Sequence, residues 1–395
     1  MPDLGIYIHI PFCVRKCSYC DFLSFSAGEE TGKDYLDALI CEIREKGPQY
    51  RGYIITSVFI GGGTPSSVPS GHITKILRTV RENFEVSEDC EISMESNPGT
   101  LTEEKLKEYK KAGINRLSMG LQSASDRELS WLGRIHTFAG FLASYDLVIK
   151  SGFKNVNIDL MYGIPGQTKA SWEKTLREVL GLNPRPTHIS AYSLIVEEGT
   201  PFYEIYGEAA GGRENGKDPE RQYPPLPSEE EERNMDKITE DILSKYGYHR
   251  YEISNYAKKG FECRHNLRYW KRGEYLGLGL GAASFTDNIR YRNTDDLSVY
   301  LRRGFRKEDY QVLSEREQME EFMFLGLRLT EGILTDEFER VFRKPFPKRY
   351  WDVIYRYENL CFIELEDSPE GLRVRLTPKG RDISNRILSE FLFDP

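Results

Sequence analysis

Six apolar, β-rich runs separated by amphipathic helical stretches govern what this chain can fold into. They are LGIYIHI at 4–10, ITSVFIG at 55–61, CEISMES at 90–96, NRLSMGL at 115–121, NVNIDLM at 155–161 and THISAYSL at 187–194. Helix-patterned segments lie between them, among them GHITKILRTVREN after Ser70, TEEKLKEYKKAG ending in Gly113 and SWEKTLREVLG ending in Gly181. Strands apolar on both faces, each followed by a helix, predict an α/β fold with a parallel sheet covered by helices, either doubly wound or barrel-like.

The unusual residues fall at or just beyond the carboxyl ends of these runs. Cys13, Cys17 and Cys20 follow the first, in YIHIPFCVRKCSYCDF; Gly61, Gly62, Gly63, Thr64 and Pro65 follow the second. Glu95 and Asn97 end the third, Gln122 the fourth, Asp159 and Gly163 the fifth, and Tyr192 lies near the end of the sixth. Parallel α/β folds bind ligands at that edge, because loops converge there and helix N-termini point inward. Clusters that share one rim predict one site.

A C-x3-C-x2-C spacing in a loop points to metal, yet three thiols are one short of the four that a structural zinc or an ordinary iron–sulfur cluster takes. Phe22 stands where a fourth cysteine would be sought. A zinc completed by Cys41 or a histidine is the competing metal reading. GGGTP fits either a tight turn or a close approach of backbone to ligand. Taken singly, Glu95, Arg134 and Asp159 also fit ordinary rim charges. Cys41, Cys90 and Cys361 sit in apolar patterns and are expected in the core.

A chain of 395 residues with a net charge of −8 is long enough for a substantial core, and its acidity argues against a phosphate-tracking surface for nucleic acid. No apolar run reaches the roughly 18 residues of a membrane span, and no basic segment precedes an apolar leader, so a cytoplasmic protein is expected. Seven cysteines, an odd number, do not resemble a secreted disulfide framework. The strand–helix alternation predicts one unit over 1–206. An exposed insertion, GEAAGGRENGKDPERQYPPLPSEEEE, spans 207–232, with Glu229 to Glu232 opening the next helix. An extension of the first unit is expected over 233–310. Residues 311–395 read as helices, a CFIELED/LRVRLT hairpin and a closing helix capped by Thr377, which suggests a small winged-helix-like domain with an interaction or lid role.

The cysteine spacing, with an aromatic before the last cysteine, resembles the radical S-adenosylmethionine (SAM) enzymes, whose fold is a partial (β/α)6 barrel. That resemblance implies a [4Fe-4S] cluster held by Cys13, Cys17 and Cys20, with SAM chelating the fourth iron; the missing ligand is the cofactor. Reductive cleavage of SAM then yields methionine and a 5′-deoxyadenosyl radical. YIHIPFC, VFIGGGTPS, ESNPGT, NRLSMGLQS, LGRIH, NIDLMYGIPGQT, ISAYSL, YEISNYA, CRHNLRYW and YLGLGLGAASF together are similar to the HemN/HemW group, related to oxygen-independent coproporphyrinogen III oxidase, over nearly the whole chain. By this similarity Tyr7 contacts cluster-bound SAM, Gly62, Gly63 and Thr64 its methionine end, and Glu95, Gln122, Arg134 and Asp159 its remaining polar groups. The residue types agree, since Arg134 can pair with a carboxylate and Asp159 can accept from ribose hydroxyls.

Within the group, the oxidase resembles C-x3-C-x2-C-x-C and carries a long N-terminal extension, whereas here Phe22 replaces the additional cysteine and twelve residues precede Cys13. HNLRYW at 265–270 matches the H-N-x-x-Y-W motif of the haem chaperones of the group. The resemblance therefore implies a protein that binds haem and passes it to an acceptor protein, with an electron donor for the cluster. The alternative is a radical SAM oxidative decarboxylase acting on coproporphyrinogen III or a related porphyrin. SAM cleavage is expected and coproporphyrinogen III dehydrogenation is not; peripheral membrane contact stays open. His265 is the expected haem ligand, with Arg264 and Arg268 for the propionates, Tyr269 and Trp270 for the macrocycle, and Cys263 as competing ligand.

Overall fold

The computed structural model describes residues 1–207 and 224–392. The middle of the expected insertion, 208–223, lies outside the described residues. Its end is a helix start: Glu229–Lys245 carries four glutamates in its first turn, favourable against the helix dipole. Ser228 caps it, Oγ accepting from the Glu231 N–H at 3.3 Å while the Glu231 carboxylate accepts from the Ser228 N–H at 2.8 Å.

All six predicted strands form. They are β1 Asp3–Ile10, β2 Ile54–Gly62, β3 Glu85–Ser96, β4 Arg116–Gln122, β5 Asn155–Tyr162 and β6 His188–Ser193, paired in parallel in chain order. Residues 233–310 continue the same sheet instead of packing as a separate body. They supply β7 His249–Arg250, β8 Asn255–Ala257, β9 Tyr275–Leu278, β10 Ala283–Thr286 and β11 Ile289–Asn293, and begin β12 Lys307–Val312, which runs two residues past the expected boundary. β9 pairs in parallel with β1, β10 to β12 run antiparallel beyond it, and β8 flanks β6. The result is a partial barrel with helices such as Glu29–Lys46, Ser70–Asn83 and Glu103–Ala112 outside.

The expectation of strands apolar on both faces needs correcting. In β5, Val156, Ile158 and Leu160 pack into the core, while Asn155, Asn157 and Asp159 take the alternate positions on the inner face. Likewise β1 sends Leu4, Ile6, Ile8 and Ile10 to the helices and leaves Tyr7 and His9 inside. The inner face is polar because its groups bond to one another and to a plug.

That plug is the helix Arg264–Trp270, carrying the HNLRYW motif at the amino ends of the strands. Arg268 donates to the Asp3 carboxylate at 2.6 Å. The Glu91 carboxylate of β3 accepts the exposed N–H groups of Arg264 (3.1 Å) and His265 (3.2 Å), which serves as the cap that Cys263 does not supply. His265 is 1% exposed, its Nδ1 at 2.9 Å from Ser57 Oγ and its Nε2 at 2.9 Å from Tyr269 Oη. Burial, then the Arg268 charge, pushes its pKa down to about 3, so it is a neutral ring.

The C-terminal part has its own core around Phe338, Tyr350, Ile354, Val374 and Ile387. Helices Glu315–Gly326, Thr335–Phe342 and Lys348–Asn359 pack with β13 Ile333–Leu334, β14 Ile363–Ser368 and β15 Gly371–Leu376, ordered β13-β15-β14. Thr377 caps the closing helix as expected. Cys361 is exposed, contrary to expectation, because it occupies a left-handed turn (φ 61°) between helix and strand. This domain docks beside the plug: Glu321 accepts from Arg272 (2.9 Å) and Arg290 (2.6 Å), and Arg328 lies over the Trp270 ring at 4.5 Å. No helix among the described residues is long and apolar enough to cross a membrane.

His265→Ala should destabilise the fold by about 2–4 kcal/mol, since it opens a buried cavity and strips a partner from Ser57 and Tyr269. Urea unfolding checks this; a loss below about 1 kcal/mol would show that the ring does not hold the floor.

Candidate functional site

The loops after all six parallel strands meet around one cavity of about 350 Å³. It is lined by Cys13, Cys17 and Cys20 after β1, Gly62 to Thr64 after β2, Glu95 and Asn97 from β3, Gln122 and Arg134 after β4, Asp159 of β5 and Tyr192 of β6. Tyr7 and His265 are absent from its wall, as are Arg264, Arg268, Tyr269 and Trp270 of the His265 segment. His265 lies at the opposite end of the barrel with both ring nitrogens engaged, so it offers no lone pair to a metal in this conformation.

Backbone hydrogen bonds hold the cysteine loop from several sides. Cys13 N–H donates to Phe25 O (3.0 Å), Phe25 N–H to Pro11 O (2.8 Å), Ser18 N–H to Leu132 O (3.1 Å) and Phe202 N–H to Ser18 O (3.0 Å). Tyr7 belongs to this support. His9 Nε2–H donates to Leu23 O at 2.8 Å, which leaves Nδ1 to accept from the Tyr7 hydroxyl at 3.0 Å. The Tyr7 hydroxyl is thus bonded to a histidine that fixes the far end of the loop.

The GGGTP segment is similarly committed. Gly62 N–H donates to Glu95 Oε2 (3.1 Å), Gly63 N–H to Ile10 O (2.8 Å) and Thr64 N–H to Phe12 O (2.8 Å). Gly62 has φ 108°, and a Cβ on Gly63 would sit 2.7 Å from Phe12 O. These glycines let β2 run against the cysteine loop, and they offer a ligand a smooth, side-chain-free wall instead of free N–H groups.

Charge is arranged in two layers. At the rim, Arg134 donates from Nη2 to Asn97 Oδ1 (2.6 Å) and Gly120 O (2.7 Å), while Nη1 lies 3.7 Å from Cys17 Sγ. Asn97 also donates to Thr64 Oγ1 at 2.9 Å, which is itself 3.5 Å from Cys13 Sγ. Deeper, Asp159 accepts from Ser118 Oγ (2.6 Å) and Asn157 Nδ2 (2.8 Å). Asn157 Oδ1 accepts from His188 Nδ1–H at 2.6 Å, and Tyr251 Oη–H donates to His188 Nε2 at 2.8 Å. Burial above all, then the neighbouring Asp159 charge, pushes the Glu95 pKa up to about 7. Sequence reading missed Ser118, Asn157 and His188, although the period-two polar positions of NVNID carried the signal.

Three free thiols that line one cavity suit an iron–sulfur cluster as donors. The three cysteines are half-buried, free of disulfides and share one cavity. Among the described residues no three His, Cys, Asp or Glu side chains converge on a point as around a lone metal ion. A four-iron cluster spaces its thiolates by its own width, and the cavity beside them provides polar groups for an amino acid and a nucleoside.

Comparison with known proteins gives the same lineage. Residues 7–179 match the radical SAM superfamily and residues 313–383 the HemN C-terminal domain. The heme chaperone HemW of Lactococcus lactis is 33% identical over 98% of this chain and 97% of its own length; that of Bacillus subtilis is 34% identical over 98% of each. The Escherichia coli HemW is 35% identical over 86% of both chains. Coproporphyrinogen III oxidase (HemN) from E. coli superposes with a TM-score of 0.81 over 99% of this chain and 90% of that one, at 23% identity, a likeness of fold. Over nearly its whole length, the chain belongs to the HemW family of radical SAM proteins.

Proposed function

We propose that this protein is a haem chaperone that holds a [4Fe-4S] cluster on Cys13, Cys17 and Cys20, binds SAM in the adjoining cavity, and delivers haem to an acceptor protein. The convergence of three half-buried thiols and the polar rim on one cavity, with Phe22 and no fourth thiol beside it, carries the cofactor part. The full-length relationship to proteins named heme chaperones supports the haem part. When bound, the cluster and SAM supply one-electron reductive cleavage of SAM, which needs an electron donor.

The chain's own residues divide the work. Arg134 holds Asn97 and faces the Cys17 sulfur, so it sets the rim where a carboxylate would lie. Asp159 is aimed by Ser118 and Asn157 so that its remaining lone pairs can take ribose hydroxyls. The floor helix occupies the other end of the barrel, bonded to Glu91 and Asp3. The C-terminal domain contacts the floor side, which favours an interaction role over a lid.

Cys13→Ala, Cys17→Ala and Cys20→Ala should each lose the visible absorption of the anaerobically reconstituted cluster and its change on adding SAM. Full iron and unchanged spectra in all three would sink the assignment. Arg134→Ala and Asp159→Ala should keep the cluster and bind SAM roughly one to two decades more weakly, the usual worth of about 1.5–3 kcal/mol for a charged hydrogen bond. Equilibrium titration measures it, and unaltered affinity in both would leave them structural. Coproporphyrinogen III supplied anaerobically with reductant separates the chaperone from the decarboxylase: haem binding without vinyl formation is expected, and carbon dioxide release with vinyl products would favour the enzyme.

A further inference from the structure

Resting on the SAM reading above, we propose that His188 is a positioning residue for the cofactor cavity: by fixing the Asn157 amide it keeps Asp159 a pure hydrogen-bond acceptor, and so gives the cavity its preference for an intact ribose diol. His188 is absent from the cavity wall. In the register of the β5–β6 pair Asn157 lies opposite His188 and Asp159 opposite Ser190, so the ring sits one inward-facing layer deeper than the carboxylate.

Both bonds that aim Asp159 pass through one amide. Asn157 Nδ2 donates to Asp159 Oδ1 at 2.8 Å and to Ser118 Oγ at 2.7 Å, and the Ser118 hydroxyl donates on to Asp159 Oδ2 at 2.6 Å. An amide turned over would present its oxygen to the carboxylate and repel it, and the Ser118 hydrogen would turn to that oxygen instead. The other end of the amide prevents this. Its Oδ1 accepts from His188 Nδ1–H at 2.6 Å and from Ser190 Oγ at 3.2 Å, so the ring supplies the shorter of the two bonds.

The ring can serve there only as a donor. Burial above all, then the Arg116 charge, keeps the His188 pKa well below the usual range, so the ring is neutral and carries one N–H. Its Nε2 accepts from Tyr251 Oη–H at 2.8 Å, and Tyr251 Oη accepts in turn from the Cys263 N–H at 3.3 Å. A backbone N–H donates and never accepts, so it sets the direction of the whole run, and every hydrogen in it points toward Asp159. His188 is 0% and Asn157 2% exposed, so bulk solvent offers no substitute for either bond. A carboxylate that meets only donors inside the barrel turns acceptor capacity, and no proton, to the cavity. That suits two adjacent hydroxyls and gives nothing to a ligand that lacks them.

The test is an anaerobic equilibrium titration of the cluster-loaded chain with SAM and with its 2′-deoxy and 3′-deoxy forms, for wild type, His188→Asn, His188→Leu and His188→Gln. The first two variants carry side chains of one shape and leave the same space, but only the asparagine side chain places an N–H where Nδ1 stood. Wild type should bind SAM at least about tenfold more tightly than one of the deoxy forms, a difference of roughly 1.4 kcal/mol. His188→Asn should retain most of that ratio, and His188→Leu should lower it to within about twofold of unity, both with cluster absorption retained. His188→Gln, polar but without an N–H at the Nδ1 position, should match His188→Leu and keeps the role testable if His188→Leu fails to load its cluster. A wild-type ratio in His188→Leu or His188→Gln overturns the positioning role while SAM binding stands. Equal loss in all three variants overturns it too, since that is what a ring that only fills space would give. A wild type that binds SAM and both deoxy forms alike removes the ribose contact of Asp159 and the positioning role with it, and a wild type that binds no SAM overturns the reading on which both rest.

Discussion

A single buried cation organises the inside of this barrel. Arg116, at the start of β4, is 2% exposed, and burial alone would disfavour its charge. The Glu91 and Asp159 carboxylates beside it favour its charged form against that cost. Unpaired, any of those carboxylates would be expensive to bury; around one guanidinium they are tolerable, which is what allows an inner face lined with polar side chains. The two acids face different ends: Glu91 anchors the floor helix, and Asp159 belongs to the cavity wall. Floor and cavity end therefore share an electrostatic centre. The run from Asp159 through Asn157, His188 and Tyr251 to the Cys263 N–H, with its last bond at 3.3 Å, connects them by hydrogen bonds as well.

The cysteine loop is held by backbone because its thiols must stay available. A loop fixed through its side chains would spend the groups that the proposed cluster needs. Here the N–H groups of Gly63 and Thr64, the carbonyl of Phe25 and the buried Tyr7–His9–Leu23 chain do the fastening. Tyr35 extends this outward, donating to His9 O at 2.8 Å and accepting from Leu280 N–H at 2.9 Å. Glu42 on the same helix takes the Gly279 N–H and the hydroxyl of Tyr300. The GLGLG segment of the extension thus braces β1 from behind, and this explains why residues 233–310 share the barrel's core.

The two ends of the barrel differ in what their side chains leave available. The floor, where HNLRYW resides, is filled: ring nitrogens of His265 are taken, Arg268 is paired with Asp3, and Trp270 is covered by Arg328 of the C-terminal domain. The cavity end is lined by Arg15, Lys16 and Arg134 together with Asp21, Glu95, Asp159 and Glu197. A motif that reads as a ligand array in one dimension becomes a plug in three, since the same aromatic and basic residues that could grip a macrocycle also fill the polar bottom of a barrel.

Much of this was legible in the chain. Alternating runs gave all six parallel strands, the C-terminal hairpin and its capped helix, because hydrophobic periodicity and capping are local properties. The rim was legible too: strand ends in a parallel fold share an edge, so Cys13, Gly62, Glu95, Gln122, Arg134 and Asp159 had to meet. What the sequence could not decide is which groups would be spent before a ligand arrives. His9, which takes the Tyr7 hydroxyl, is oriented by Leu23 O, Gly62 N–H is spent on Glu95 and Gly63 N–H on Ile10 O, and His265 Nδ1 is held by Ser57, all partners distant in the chain. Residue type and spacing, local in the chain, determine what a side chain is able to do; the tertiary contacts, by satisfying its donors and acceptors or leaving them free, decide whether it is available to do it.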